Sequence, residues 1–292
     1  MGTLRRLRIT SLSLSSVLSL AILGCAPSPH LSSPASLHLA GQVHGGEQPV
    51  NGATIQLYAV GTTGDASAAT PLLKTAVTTS PDGSFSITSD YDCPSNTDLV
   101  YLVATGGNPG LTSGTTNSAL ALMAALGSCT SIKSAPITIA VNELTTVGSL
   151  AALYPFANSY AALGSANSDA AQLTTAFNTV NDYTGISTGT VPGPALPAGQ
   201  YASSVEIDTL ANILSTCINS TGGVAGDHTA CGNLFALAQP QSSPAPTDTI
   251  TAVIDILKNP TVNVAAIFGL APASGAPYQP ALSSSPSDWT LP

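Results

Sequence analysis

Thr79-Ser80-Pro81-Asp82-Gly83-Ser84-Phe85-Ser86-Ile87 is the stretch that decides the fold. A Pro-Asp-Gly turn stands before Ser-Phe-Ser-Ile, where polar and apolar residues alternate with the period of a half-buried strand. Gly83 accepts the positive φ that a tight turn demands, so the stretch predicts a hairpin joining strands at 73–79 and 84–87. Working upstream, Ala53-Thr54-Ile55-Gln56-Leu57-Tyr58 alternates in the same way, and Leu39-Ala40-Gly41-Gln42-Val43 gives a strand before it. Working downstream, Leu99-Val100-Tyr101-Leu102-Val103-Ala104-Thr105 is apolar almost throughout, as a strand covered on both faces should be. Pro136-Ile137-Thr138-Ile139-Ala140-Val141 predicts a closing strand.

Gly41-Gln42-Val43, the run Pro49-Val50-Asn51-Gly52-Ala53-Thr54-Ile55-Gln56-Leu57-Tyr58 and the opening stretch together resemble the carboxypeptidase regulatory-like domain, a transthyretin-like sandwich. They are also similar to the B-type repeats of Gram-positive surface proteins. The resemblance covers residues 36–107, about a quarter of the chain. It implies an antiparallel β-sandwich that spaces or binds, and it implies no reaction. Some B-type repeats join a first-strand Lys to a last-strand Asn by an isopeptide bond. Here Gln42 and His44 stand in the first strand and Lys74 in the third, so that cross-link is not expected.

The pattern then changes from period two to helical spacing. Residues 118–126 are rich in Ala, Leu and Met and predict a helix inserted before the closing strand. Asn142 can cap a helix that Pro155 stops. Ser168 is placed to cap the next, which repeats Leu173, Ala176, Phe177 and Val180 along one face. Ser203-Ser204-Val205-Glu206 has the spacing of a capping box before Ile207, Leu210, Ala211 and Leu214. Helices are also expected at 231–237, 249–258 and 264–270. The expected fold class is α+β in two domains: a transthyretin-like antiparallel sandwich with an inserted helix at 36–141, then an all-α helical domain at 142–272. A Pro/Ser-rich tail fills 273–292. Residues 101–290 resemble a module of predicted surface lipoproteins of acidobacteria-type soil bacteria, which adds no activity.

Residues 1–24 read as a lipoprotein signal peptide, with Arg5-Arg6-Leu7-Arg8 ahead of an uncharged apolar stretch. Ile22-Leu23-Gly24-Cys25 resembles the lipobox of bacterial lipoproteins, so Cys25 is expected to carry the lipid and residues 25–35 to form a Pro/Ser tether. Two or three acyl chains hold a protein far better than one. Ala26 after the lipidated Cys implies, by resemblance to Gram-negative sorting, a lipid-anchored place in the cell envelope at the outer membrane. Cys93, Cys129, Cys217 and Cys231 remain, an even number in an exported chain, and disulfides are the default. Of the three pairings, Cys93 with Cys129 and Cys217 with Cys231 are expected, because each then lies within one expected domain.

The chain of 292 residues has a net charge of −9, with all three arginines in its first eight residues. A surface so poor in cations argues against a nucleic-acid partner. Gly185-Ile186-Ser187-Thr188-Gly189 spells a GxSxG nucleophile elbow, with Asp208 and His228 following in hydrolase order. An elbow needs a strand before the Ser and a helix after it, and the pattern gives neither. Glu143, at a helix start, reads as complementing the helix dipole. Asp90, Asp92 and Asp98, with Asn96, crowd the loop around Cys93 and make a weak cation candidate that lacks the Gly and terminal Glu of an EF-hand. His30, His38, His44 and His228 show no metal-ligand spacing, and no metal, cofactor or catalytic site is expected. The function expected is that of a non-enzymatic envelope module. It would bind an envelope protein or polysaccharide, or act as a spacer. A secreted hydrolase working through Ser187, or through Glu143 with an Asp, is the alternative.

Overall fold

The computed structural model describes residues 38–88, 91–134, 137–241 and 243–292. The signal peptide, Cys25, the tether, His30 and Asp90 lie outside these residues. The described chain begins with β1 (His38–Gly45), β2 (Gln48–Pro49), β3 (Thr54–Ala59), β4 (Thr70–Pro71), β5 (Val77–Thr78), β6 (Ser84–Thr88), β7 (Leu99–Thr105) and β8 (Ala121–Ser128). A short helix α1 (Cys129–Ser134), strand β9 (Ile137–Val141) and helix α2 (Glu143–Leu153) follow. The small pair β10 (Ala157–Ser159) and β11 (Ala162–Leu163) precedes α3 (Ala170–Tyr183), α4 (Ser204–Ile218), α5 (Ala230–Ala238), α6 (Thr249–Lys258) and α7 (Val264–Phe268).

The class is α+β, with no closed barrel among the described residues. In one sheet β1 lies between β6, antiparallel, and β9, parallel, and its end pairs with β2. In the other the order is β4-β3-β7-β8, with β5 also on β3. The expected alternation holds where one face is open: Ile55, Leu57 and Ala59 point inward from β3, Phe85 and Ile87 from β6. Both sheets contribute to one buried core. Gly41 permits the close approach of β9, since a Cβ there would stand 2.0 Å from the Ile139 carbonyl oxygen.

Several expectations are corrected. The Asp82-Gly83 turn forms, with Gly83 at φ +77° and its N–H donating to the Ser80 carbonyl at 2.8 Å. It does not close a hairpin: β5 pairs with β3 while β6 pairs with β1, so the turn carries the chain from one sheet to the other. The strand expected at 73–79 survives only as β5, because the Gln56 side chain takes the place of a neighbouring strand at Leu73. Its Oε1 accepts from the Leu73 N–H at 2.9 Å and its Nε2 donates to the Leu73 carbonyl at 3.3 Å. The sheet containing β9 is mixed, not antiparallel, because β9 returns alongside β1 in the same direction.

The helix expected at 118–126 is instead strand β8. Helix propensity separates ordinary residues by less than about 0.7 kcal/mol each and yields readily to tertiary context. Here one edge of β8 pairs with β7. The other edge meets helix hydroxyls. The N–H groups of Ala121, Met123 and Ala125 donate to Thr249 Oγ1 at 3.0 Å, Thr146 Oγ1 at 2.9 Å and Ser149 Oγ at 3.2 Å. Thr249 also donates to the Ala121 carbonyl. All three hydroxyl residues are fully buried. α2 and α6 thus complete the hydrogen bonding of a strand edge that would otherwise be orphaned in the core.

That junction bears on the expected boundary at residue 142, which does not divide two compact units: the described residues on either side of it form one. The stretch 273–292 is no loose tail either. Trp289 is fully buried and its backbone N–H donates to the Pro260 carbonyl at 2.9 Å. Among the helices, α2 begins as expected, with Asn142 and Thr145 forming a reciprocal capping box. Asp169, not Ser168, precedes α3. Ser203 stands at the start of α4 without capping it through its side chain, and its hydroxyl is buried without a partner.

Candidate functional site

Ser187 sits at the tip of a tight turn that follows α3. Gly185 and Thr190 bridge its base, Gly189 takes φ +68°, and the Gly189 N–H donates to the Gly185 carbonyl at 2.7 Å. A helix therefore precedes the Ser and a Pro-rich loop follows it, the reverse of a nucleophile elbow. The Ser187 side chain is exposed and makes no hydrogen bond. It lines a cleft of about 530 Å³ together with Gln42, His44, Ser84, Thr138 and Asn142. The imidazole of this cleft is thus His44, which the chain order Ser187, Asp208, His228 does not suggest. Burial lowers the pKa of His44 and favours its neutral form.

His228 and Asp208 serve elsewhere. His228 adopts φ +63° in the loop before α5. Its neighbour Asp227 organises that loop: Oδ1 accepts from the Thr229 N–H at 2.9 Å and hydroxyl at 2.7 Å, and Oδ2 from the Val224 N–H at 2.7 Å. Thr229 in turn caps α5. These bonds hold the exposed Asp227 carboxyl below its usual range. Asp208 is buried on α4, and burial pushes its carboxyl up to about 6.

Glu143 is the residue whose place the sequence least reveals. It begins α2, where a carboxylate suits the helix dipole, yet it is fully buried. Oε1 accepts from the Gly46 N–H at 2.8 Å and Oε2 from the Tyr278 hydroxyl at 2.5 Å. Burial pushes Glu143 up to about 7, against the opposing pull of those two bonds. Tyr278 is fixed in turn by Asn212, whose Nδ2 donates to its carbonyl at 2.8 Å and whose Oδ1 accepts from its N–H at 3.0 Å. The next tie is the Leu282 N–H donating to Thr209 Oγ1 at 2.9 Å. One carboxyl therefore clasps α2, the β1–β2 turn and the C-terminal strap. The only trace of this in the sequence is a carboxylate and a tyrosine 135 residues apart.

Both disulfides are present. Cys93–Cys129 spans a Cα separation of 6.3 Å and Cys217–Cys231 one of 4.4 Å. The loop around Cys93 is held by its own polar groups. Asp98 Oδ2 accepts from the Ser95 N–H at 2.7 Å, the Asn96 carbonyl accepts from the Thr130 N–H at 2.9 Å, and exposed Asp92 lies 3.9 Å from Lys74. Among the described residues no group of three or more His, Cys, Asp or Glu could hold a metal ion. No described helix is long and apolar enough to cross a membrane. No family model, curated protein or solved structure matches the chain.

Proposed function

We propose that this chain is a non-enzymatic, lipid-anchored protein of the cell envelope, held by Cys25 at the outer membrane of a Gram-negative bacterium. Its strands, in part resembling a carboxypeptidase regulatory-like domain, support helices that bind an envelope partner or space the surface. The observation that carries the non-enzymatic reading is the fate of Glu143: both its oxygens are occupied, by Gly46 and Tyr278, with no access to solvent. A carboxyl so placed fastens the fold and cannot reach a substrate. Export is supported by two disulfides, which persist in oxidising compartments.

Intact-mass measurement of the membrane fraction tests the anchor. Acylated Cys25 at the mature N-terminus is expected, and a lipid-free thiol there would contradict it. A hydrolase acting through Ser187 is the second reading, and the cleft it shares with His44 is the observation in its favour. Against it, no hydrogen bond activates the hydroxyl. A fluorophosphonate probe separates the readings: no labelling is expected, whereas stoichiometric labelling lost in Ser187→Ala would install the hydrolase.

A further inference from the structure

A second cleft, which shares no lining residue with the one at Ser187, lies between the C-terminal end of α3 and the loop after Val191. Its volume is about 290 Å³, and Asp182, Tyr183, Leu196, Pro197, Gln200 and Tyr201 line it. Two large hydrophobic side chains stand exposed among the described residues, and one is Tyr201, 68% exposed and on the wall of this cleft. A single exposed ring is ordinary by itself; beside a concavity it offers an apolar face for stacking and a hydroxyl for hydrogen bonding.

The polar groups point the same way. The Asp182 carboxylate, the Gln200 amide and the Tyr201 hydroxyl make no hydrogen bond within the protein, although each borders the cleft. Tyr183 is half-buried beside them, its hydroxyl donating to the Leu291 carbonyl at 3.4 Å. The wall is held in place. The N–H groups of Gly193 and Ala195 donate to the Asp182 and Asn181 carbonyls at 3.0 Å each, and the Gln200 N–H to the Pro197 carbonyl at 3.0 Å. Gly193 permits this docking, since a Cβ there would stand 2.0 Å from the Asn181 carbonyl oxygen. The backbone of the wall is therefore set before binding, and only the free side chains remain to be ordered.

We infer that this cleft is a saccharide subsite, which takes one ring of an uncharged or amine-bearing glycan against Tyr201. The inference rests on the proposed binding role and names its ligand class. A pyranose ring offers an apolar C–H face, which suits the phenol ring, and a rim of hydroxyls, which suits Asp182 and Gln200. The volume falls just below the range for small-molecule sites, about 300–1,000 Å³, and so limits the occupant to a single ring. Anionic sugars are disfavoured by Asp182 and by the net charge of −9. A polyproline helix, which also docks on aromatic clefts, offers carbonyl acceptors to Gln200 and Tyr201 but has no N–H to give the Asp182 carboxylate.

The test uses the full chain in detergent micelles, titrated calorimetrically with cellohexaose, maltohexaose and chitohexaose, with polygalacturonate and octaproline as controls. Submillimolar binding of at least one of the three is expected, weakened tenfold or more by Tyr201→Ala and severalfold by Asp182→Asn. Ser187→Ala, in the other cleft, should leave it unchanged. Both Tyr201 and Asp182 side chains lack internal bonds, so an unchanged melting temperature shows that lost binding is not unfolding. The inference is overturned if none of the three binds at millimolar concentration, if Tyr201→Ala binds as well as wild type, or if polygalacturonate or octaproline binds instead. Anchoring is read separately, by intact mass: a native chain found with a free Cys25 thiol that still binds the oligosaccharide would sink the proposed envelope anchor and leave the subsite standing.

Discussion

β1 packs one face into the core and β8 is buried from Ala121 to Ala125, and their edges are completed in different ways. β1 has a strand on either side, β6 and β9, and its hydrogen bonds are supplied by backbone. β8 has a strand on one side only, and on the other the hydroxyls of Thr249, Thr146 and Ser149 reach its N–H groups at every second residue. The first arrangement binds sheet to sheet. The second binds sheet to helix, and no strand is left to take over if α2 and α6 move away. Orphaned donors in a core are costly, so the strands and helices are expected to fold as one unit. A sandwich with a separable helical domain would need only the first kind of edge.

Breaking the end of β8 should have the largest effect. Cys129 follows directly on β8 and is tied to Cys93, closing a loop 36 residues in sequence. The double substitution Cys93→Ala, Cys129→Ala should destabilise the fold by about 4 kcal/mol on the loop-entropy relation, against about 3 kcal/mol for the shorter Cys217–Cys231 loop. Urea unfolding of the two double mutants side by side checks the order.

The Glu143 clasp joins the two kinds of edge, from α2 to the end of β1, and makes stability depend on pH. Its carboxyl is raised from 4.5 to about 7 by burial. The folded state therefore holds this proton more tightly than the unfolded chain does. The stabilisation is complete below about pH 4.5 and is lost as pH rises to about 7, a change of about 3 kcal/mol. Asp208 and Asp255, each raised to about 6 by burial, add in the same direction. In Glu143→Gln the slope between pH 4.5 and 7 should become shallower while the Tyr278 contact is kept. Denaturant midpoints of both proteins across that range are the measurement, and an unchanged slope would mean that Glu143 is ionised in the fold.

Smaller effects sharpen the contrast at the β8 edge itself. Thr249→Val keeps the shape but leaves the Ala121 N–H and carbonyl without the hydroxyl, at a cost of about 2 kcal/mol. Ser149→Ala removes one longer bond and should cost about 1 kcal/mol. Thr63→Val, at an exposed position, gives the control and should change stability by less than about 0.5 kcal/mol. Equal losses at all three positions would remove the distinction drawn between the two edges.

These residues also show where the sequence is legible. The period of two finds β3 and β6 because one side of each is open to water. β7, apolar on both faces, is still recognisable by its β-branched and aromatic residues. β8 is covered on both faces too, but by Ala, Leu and Met, whose propensity favours helix, and the hydroxyls that hold it as a strand lie up to 128 residues away. The disulfide pairing is present as expected from an even cysteine count and the two expected domains, although the boundary used to choose it does not divide the fold. Nothing local distinguishes Glu143 from an ordinary helix-starting carboxylate, because its burial is created by Tyr278 at the far end of the chain. The local form of the GxSxG stretch is legible too: the pattern around it gives neither the strand nor the helix of an elbow, and the structure shows a turn after α3.

The unity of the strands and helices is open to one direct measurement. Equilibrium urea unfolding can be followed by the fluorescence of Trp289, the sole tryptophan, which is buried beside the segment after α6, and by mass-resolved hydrogen exchange of the β3 and β7 amides. One transition with coincident midpoints for both probes is expected. Loss of the Trp289 signal at lower urea, with β3 and β7 still protected, would show a separable helical domain and contradict the account.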